Sequence, residues 1–210
     1  MRKSEPRAFL LPERNAAYVE IAKVACSSIK VFIAGMLGIP LKDGNPHVTR
    51  LPAARLADVP SEYFVFAFVR DPWDRLVSCY RDKVGGEPGE FTHLKARGVA
   101  ACLSRFEQFY AGMPFADFVA AVAEIPDIAA DEHFRSQHTF LTDRVDFIGR
   151  FEQLDADFSH VLARLGIEGR LGHRQASARG MDYRGFYTRV TTDAVAQRYA
   201  EDIDRFGYRP

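Results

Sequence analysis

Cysteine is scarce. Only Cys26, Cys79 and Cys102 occur, with no CxxC or CxxH pair among them. That argues against a disulfide framework and against a zinc site. Net charge is missing as well: 28 Lys+Arg balance 28 Asp+Glu, so any basic site must be local and no nucleic-acid partner is indicated. Long apolar runs are also lacking. The basic opening "MRKSEPRAFLLPER" holds only a four-residue apolar run before Pro12, too short for a signal-peptide core or a membrane span. The expectation is a cytoplasmic chain with no membrane span, and no repeat or low-complexity tract interrupts it. A chain of 210 residues at 47% hydrophobic content can fill one core. One domain over 1–210 follows, with 1–15 as an N-terminal extension; the oligomeric state stays open.

What is there is an alternation of strand and helix patterns. "AAYVEIAKV" (16–24) is a short β-branched and aromatic run, and from Cys26 onward Ile29, Ile33, Met36 and Leu37 recur at helical spacing until Gly38 and Pro40. "EYFVFAFVR" (62–70) is apolar on both faces, as in the middle of a parallel sheet. It breaks at Asp71-Pro72, a helix cap followed by a first-turn proline. Trp73, Leu76, Val77, Tyr80 and Val84 then form a buried stripe, in which Cys79 is a small core residue. "GGEPGE" reads as a loop, and the stretch through about residue 104 as mobile. "PFADFVAAVAEI" (114–125) predicts a helix, "VDFIGRFE" (145–152) a strand, and "FEQLDADFSHVLARLGI" a helix closed by Gly166. A last amphipathic helix spans 191–206. The fold class is α/β with a central parallel sheet flanked by helices.

Two strand-to-helix junctions carry polar residues at the carboxyl end of a strand, where open α/β sheets bind ligands. The first, "AKVACSSIK", offers Lys23, Ser27 and Ser28 beside the first N–H groups of a helix, an arrangement suited to an anion. A solvated lysine and a serine helix cap explain the same residues. It contains no glycine and has no lysine followed directly by Ser or Thr, unlike a triphosphate loop. The second, "FVRDPWDRLVSCYRDK", puts Arg70 at the strand end. Ser78 falls on the helix face of Asp74, Arg75 and Arg81, away from the Trp73 stripe. A guanidinium and a hydroxyl so placed can grip one phosphate, although a charged helix exterior accounts for them too.

Together the junctions resemble the carbohydrate sulfotransferases. "AKVACSSIK" is similar to their 5′-phosphosulfate loop, PKxxxTS or PKVACTSxK, and "FVRDPWDRLVSCYRDK" to their 3′-phosphate motif, RDPxxRLVSxYRxK. "DEHFRSQ", "VDFIGRFEQLDADF" and "YAEDIDRFGY" extend the likeness, which runs from about residue 17 to the C-terminus. The resemblance implies a fold like that of P-loop kinases. It also implies transfer of a sulfuryl group from 3′-phosphoadenosine-5′-phosphosulfate (PAPS) to a hydroxyl, usually on a sugar, with the bisphosphate PAP as product and no metal. By the same resemblance the turn Lys23, Val24, Ala25, Cys26, Ser27, Ser28 holds the 5′-phosphosulfate, with Lys23 on the leaving oxygen, while Arg70 and Ser78 hold the 3′-phosphate. The family's proline before the lysine is Ala22 here.

In-line transfer at sulfur needs a base for the acceptor hydroxyl and no protein nucleophile. Two histidines are candidates: His47 in "NPHVTRL", in a setting like that of the base in uronyl 2-O-sulfotransferases, and His133 in "DEHFRSQ". Asp131 and Glu132 are fallback carboxylates. The loop "HRQASARGMDYRGFY" resembles the one that closes over the nucleotide, which gives Arg179 and Arg184 a place there beside Arg174. The acceptor, a carbohydrate or another hydroxylated small molecule, is not legible in the sequence; its selection falls to 40–60 and 85–140. A P-loop-type kinase, or a non-catalytic module binding a nucleotide or sulfated glycan, are the other readings these residues allow.

Overall fold

The computed structural model describes residues 6–84, 102–110, 112–172 and 182–209. Two compact units emerge, one from Met1–Arg70 and Thr139–Arg179, the other from Asp71–His138 and Gly180–Pro210. Arg174, Arg179 and the loop expected at 85–90 lie outside the described residues.

The first unit is built on five strands: β1 (Arg7–Leu11), β2 (Ala16–Val19), β3 (Ala53–Arg55), β4 (Phe64–Val69) and β5 (Phe147–Arg150). They lie in the order β3-β1-β2-β4-β5. β2, β4 and β5 pair in parallel, whereas β1 runs antiparallel to β2 and β3. Four strands therefore point one way, and the sheet is mixed at the β1 side. Residues 7–11, expected within an N-terminal extension, are β1 itself. Their four-residue apolar run matches the short strands of this sheet, and Pro12 ends it.

β4 lies between two parallel neighbours, which is why both its faces are apolar. Phe64, Phe66 and Phe68 share one face. Tyr18 is in register with Phe66, their rings 5.6 Å apart. Phe68 meets Phe158 of α4 (Leu154–Leu165) at 6.0 Å, and Phe158 meets Phe32 of α1 (Cys26–Met36) edge-on at 5.1 Å. Burying such a ring contributes roughly 1.5–3 kcal/mol. Gly149 pairs with Phe68 because nothing larger fits: a Cβ there would lie 2.5 Å from the phenyl ring. Gly166 closes α4 in the left-handed conformation the helix end needs, at φ 63°.

The second unit consists of α2 (Pro72–Lys83), α3 (Phe115–Glu124), α5 (Arg189–Arg198) and α6 (Ala200–Phe206). Trp73, Leu76, Val77, Cys79, Tyr80 and Val84 are all buried, the stripe read from the sequence. Trp73 Nε1 donates to the Thr192 carbonyl at 3.2 Å. The Tyr80 ring contacts Phe115 and Phe118, at 5.2 and 5.4 Å, and its hydroxyl donates to the Met113 carbonyl at 2.8 Å. Where one helix was expected over 191–206 there are two. The chain breaks at Tyr199, whose buried hydroxyl donates to the Phe134 carbonyl at 2.6 Å. Among the described residues no helix is long and apolar enough to cross a membrane.

Candidate functional site

After β2 the backbone turns sharply through residues 20–25. Lys23 sits at φ 70° and Ala25 at φ 53°, so two residues with side chains occupy the left-handed region. Such a conformation costs roughly 1–2 kcal/mol for each non-glycine residue. The turn is therefore reached without glycine, and contacts must hold it. Arg70, only 3% exposed, supplies one: its Nη1 donates to the Lys23 carbonyl at 3.0 Å while the guanidinium lies 4.1 Å over the Phe151 ring. Ala22, where relatives were expected to carry proline, is packed at 8% exposure directly before this clamp.

α1 begins at Cys26. Its cap position is Ala25, which makes no side-chain capping bond. Ser27 and Ser28 stand inside the first turn, so the serine-cap explanation does not describe them. α2 differs: the Asp71 carboxylate accepts from the Trp73 and Asp74 amides at 2.9 and 3.1 Å. Its N-terminus is already neutralised by its own anion.

His47 is drawn to the same turn. Its Nε2 lies 2.7 Å from Ser27 Oγ and its Nδ1 3.4 Å from Lys30 Nζ, while its amide donates to Asn45 Oδ1 at 2.9 Å. Lys30 is buried, ion-paired with Glu20 at 2.6 Å, and 4.8 Å over the Phe9 ring. Lys23, Ser27, Ser28, His47 and Arg70 thus all belong to the first unit, four of them joined by hydrogen bonds into two pairs. Burial pushes the Cys26 thiol up, which makes it a packing residue rather than a thiolate.

In the second unit, His133 Nδ1 lies 2.6 Å from Asp131 Oδ1, and the same oxygen accepts the His133 amide at 3.1 Å. Burial raises the Asp131 carboxyl, but these hydrogen bonds outweigh it and hold the group below the usual range. Burial lowers the His133 pKa, and the bond to Asp131 with the nearby Cys102 more than offsets that, leaving it raised. Arg75 corrects the sequence reading. It is 2% exposed, off the charged helix exterior, and donates to the carbonyls of Arg135 at 2.8 Å and Glu132 at 3.0 Å, bracketing His133. Glu132 itself is exposed.

Ser78 is half-buried on α2. Arg184 is exposed, with its guanidinium 4.9 Å over the Tyr183 ring, and the Tyr183 hydroxyl donates to Asp71 Oδ2 at 3.1 Å. Among the described residues two sets gather metal-type donors, Glu20–Cys26–His47 and Cys102–Asp131–His133. In the first, both His47 ring nitrogens already hold side-chain partners. In the second, Arg105 lies 3.8 Å from Asp131. Neither arrangement is a built metal centre.

Sequence reasoning missed Glu20, Lys30 and Arg75 as parts of these clusters. For Lys30 a signal existed: a lysine between Ile29 and Ile33, inside an apolar stripe, is out of place unless paired.

A carbohydrate sulfotransferase 14 from Danio rerio is 28% identical over 177 residues, covering 73% of this chain and 47% of that protein. Its Mus musculus counterpart is 27% identical over 236 residues, covering 99% and 61%. Carbohydrate sulfotransferase 12 from Mus musculus is 29% identical over 170 residues, covering 70% and 40%. The chain thus spans about half the length of these relatives. No solved structure is significantly similar to it. The model of the sulfotransferase family matches residues 6–209, a span that takes in both junctions, the His133 turn and α6. This chain belongs to the sulfotransferase family.

Proposed function

We propose that the protein transfers a sulfuryl group from PAPS to a hydroxyl of a carbohydrate acceptor. The observation that carries this reading is the Arg70–Lys23 contact. It joins the two sequence motifs at the end of one sheet, where Lys23, Ser27, Ser28 and Arg70 all carry groups able to donate to anionic oxygen. Lys23, Ser27 and Ser28, with the α1 N-terminus, would hold the 5′-phosphosulfate, and Arg70 with Ser78 the 3′-phosphate. When bound, PAPS supplies an activated sulfuryl group whose bridging S–O bond breaks as a new S–O bond forms to the acceptor. Lys23 would stabilise charge on the departing oxygen; removing one such donor typically costs about 100- to 1000-fold in rate.

For the base we favour His133 over His47. Asp131 is an acceptor, so the neutral His133 ring carries its proton on Nδ1 and keeps the lone pair on Nε2. His133 would take the acceptor's hydroxyl proton as the new S–O bond forms. Arg184 would contact the nucleotide.

Calorimetric titration tests the reading with adenosine 3′,5′-bisphosphate and, separately, ATP with Mg²⁺. The expected result is binding of the bisphosphate without added metal, weakened at least about 10-fold by Arg70→Ala, the scale of losing a charge-assisted hydrogen bond. Preference for Mg-ATP overturns the proposal in favour of a kinase.

A further inference from the structure

Four side chains of the first unit form a line that the proposed chemistry does not by itself require: Glu20, Lys30, His47 and Ser27. An ammonium has three donors and no acceptor. With Lys30 Nζ 3.4 Å from His47 Nδ1, that ring nitrogen must present its lone pair. The other tautomer would set an N–H against the ammonium. A doubly protonated ring would set one cation beside another. Glu20, 2.6 Å from Lys30, holds the ammonium in place beside the ring. The proton of His47 therefore sits on Nε2, and Nε2–H donates to Ser27 Oγ at 2.7 Å. Ser27 accepts with a lone pair, so its own O–H remains a donor for another group.

We infer that Lys30 is a positioning residue: it fixes the tautomer of His47, which in turn commits the Ser27 hydroxyl to donate to an anionic oxygen. His47 then acts as a hydrogen-bond donor inside the turn, and both its ring nitrogens are committed. That Ser27 faces the 5′-phosphosulfate rests on the function proposed above; the tautomer does not. Placement supports the line at each end. Lys30 is buried, stacked on Phe9 and paired with Glu20, so its ammonium has a fixed position. The His47 loop is pinned by Asn45, which accepts the His47 amide through its side chain and the Thr49 hydroxyl through its carbonyl, at 2.9 and 2.7 Å.

The tautomer is read by nitrogen NMR of the protein carrying ¹⁵N-histidine. The expected wild-type spectrum has His47 Nε2 protonated and Nδ1 as a bare, accepting nitrogen. Lys30→Met is expected to shift His47 toward a tautomer mixture, and Lys30→Arg, which also only donates, to restore the wild-type form. Titration then separates the two ends of the nucleotide. Lys30→Met is expected to weaken adenosine 3′,5′-bisphosphate about 10-fold while leaving adenosine 3′-monophosphate unchanged. A protonated Nδ1 in the wild type overturns the inference, and this spectrum suffices if Lys30→Met does not fold. An unchanged tautomer in Lys30→Met overturns it too, as does equal weakening of both nucleotides. If the wild type binds no bisphosphate but shows the expected tautomer, the proposed function fails and the positioning role of Lys30 toward His47 stands.

Discussion

A lysine, an aspartate and an arginine, each bonded to a neighbour's carbonyl or ring, decide what the more conspicuous residues can do. Asp131 shows this most directly. It sets the proton of His133 on Nδ1 and helps raise the ring's pKa above the ordinary value near 6.5. A base must be neutral to act, so the rate should rise with pH through that raised value. The acidic limb of the kcat/KM profile is therefore expected above about pH 6.5. Asp131→Asn removes the raising contribution, and the limb should move to lower pH while kcat falls more than KM changes. A limb that stays in place once an acceptor is in hand would take the role away from His133. Lys23, Ser27, Ser28 and Arg70 were legible as residue types at motif spacing. The partners that fix their chemistry were not: Lys30 meets His47 across 17 positions and Arg75 meets Arg135 across 60. Local patterns carry no trace of such distances.

Helices and strands tell a similar story at their own scale. β4 and α2 could be read because an apolar strand pattern meets Asp71-Pro72, whose capping bonds are local. β3, only three residues long, is too short to announce itself, and the apolar run of β1 reads equally as part of an extension; pairing with neighbouring strands is what makes both of them strands. The break between α5 and α6 has no glycine or proline; Tyr199 stands at it, with its hydroxyl donating to the Phe134 carbonyl far away in sequence. α6 is also tied by charge. The fully buried Asp202 accepts from the Gln137 and His138 amides and from His138 Nδ1, at 2.7, 2.8 and 2.8 Å. The bond to Asp202, with Glu201 and Asp127 nearby, raises the His138 pKa although burial opposes it. A histidine raised on folding stabilises fully below its unfolded value and loses that contribution as pH rises through the folded one. Thermal melts of wild type and His138→Gln should thus differ most below about pH 6.5 and converge as pH rises through the raised value. A gap that widens with pH would contradict this account of the α6 anchor.

For the whole molecule, ligand binding and stability are one measurement. A ligand bound only by the folded chain stabilises it by RT ln(1 + [L]/Kd), about 2.7 kcal/mol at a hundredfold excess over Kd. Adenosine 3′,5′-bisphosphate at that excess should raise Tm by several degrees, and Mg-ATP at the same concentration by much less. Equal shifts from both would leave no nucleotide preference to explain. The order in which the chain is used has a consequence of another kind. The second unit is assembled from two stretches, Asp71–His138 and Gly180–Pro210, with part of the first unit between them in sequence. Trp73 and its partner Thr192 are 119 positions apart. A ribosome adding about 5–20 residues per second would need roughly 5 to 25 seconds to cross that interval. Throughout it α2 has no α5 to pack on, and Trp73 Nε1 lacks the Thr192 carbonyl it will donate to. Slow translation of 139–179 would lengthen the exposure. Yield in a cell should then depend on elongation speed and chaperone supply, even where the finished protein is stable.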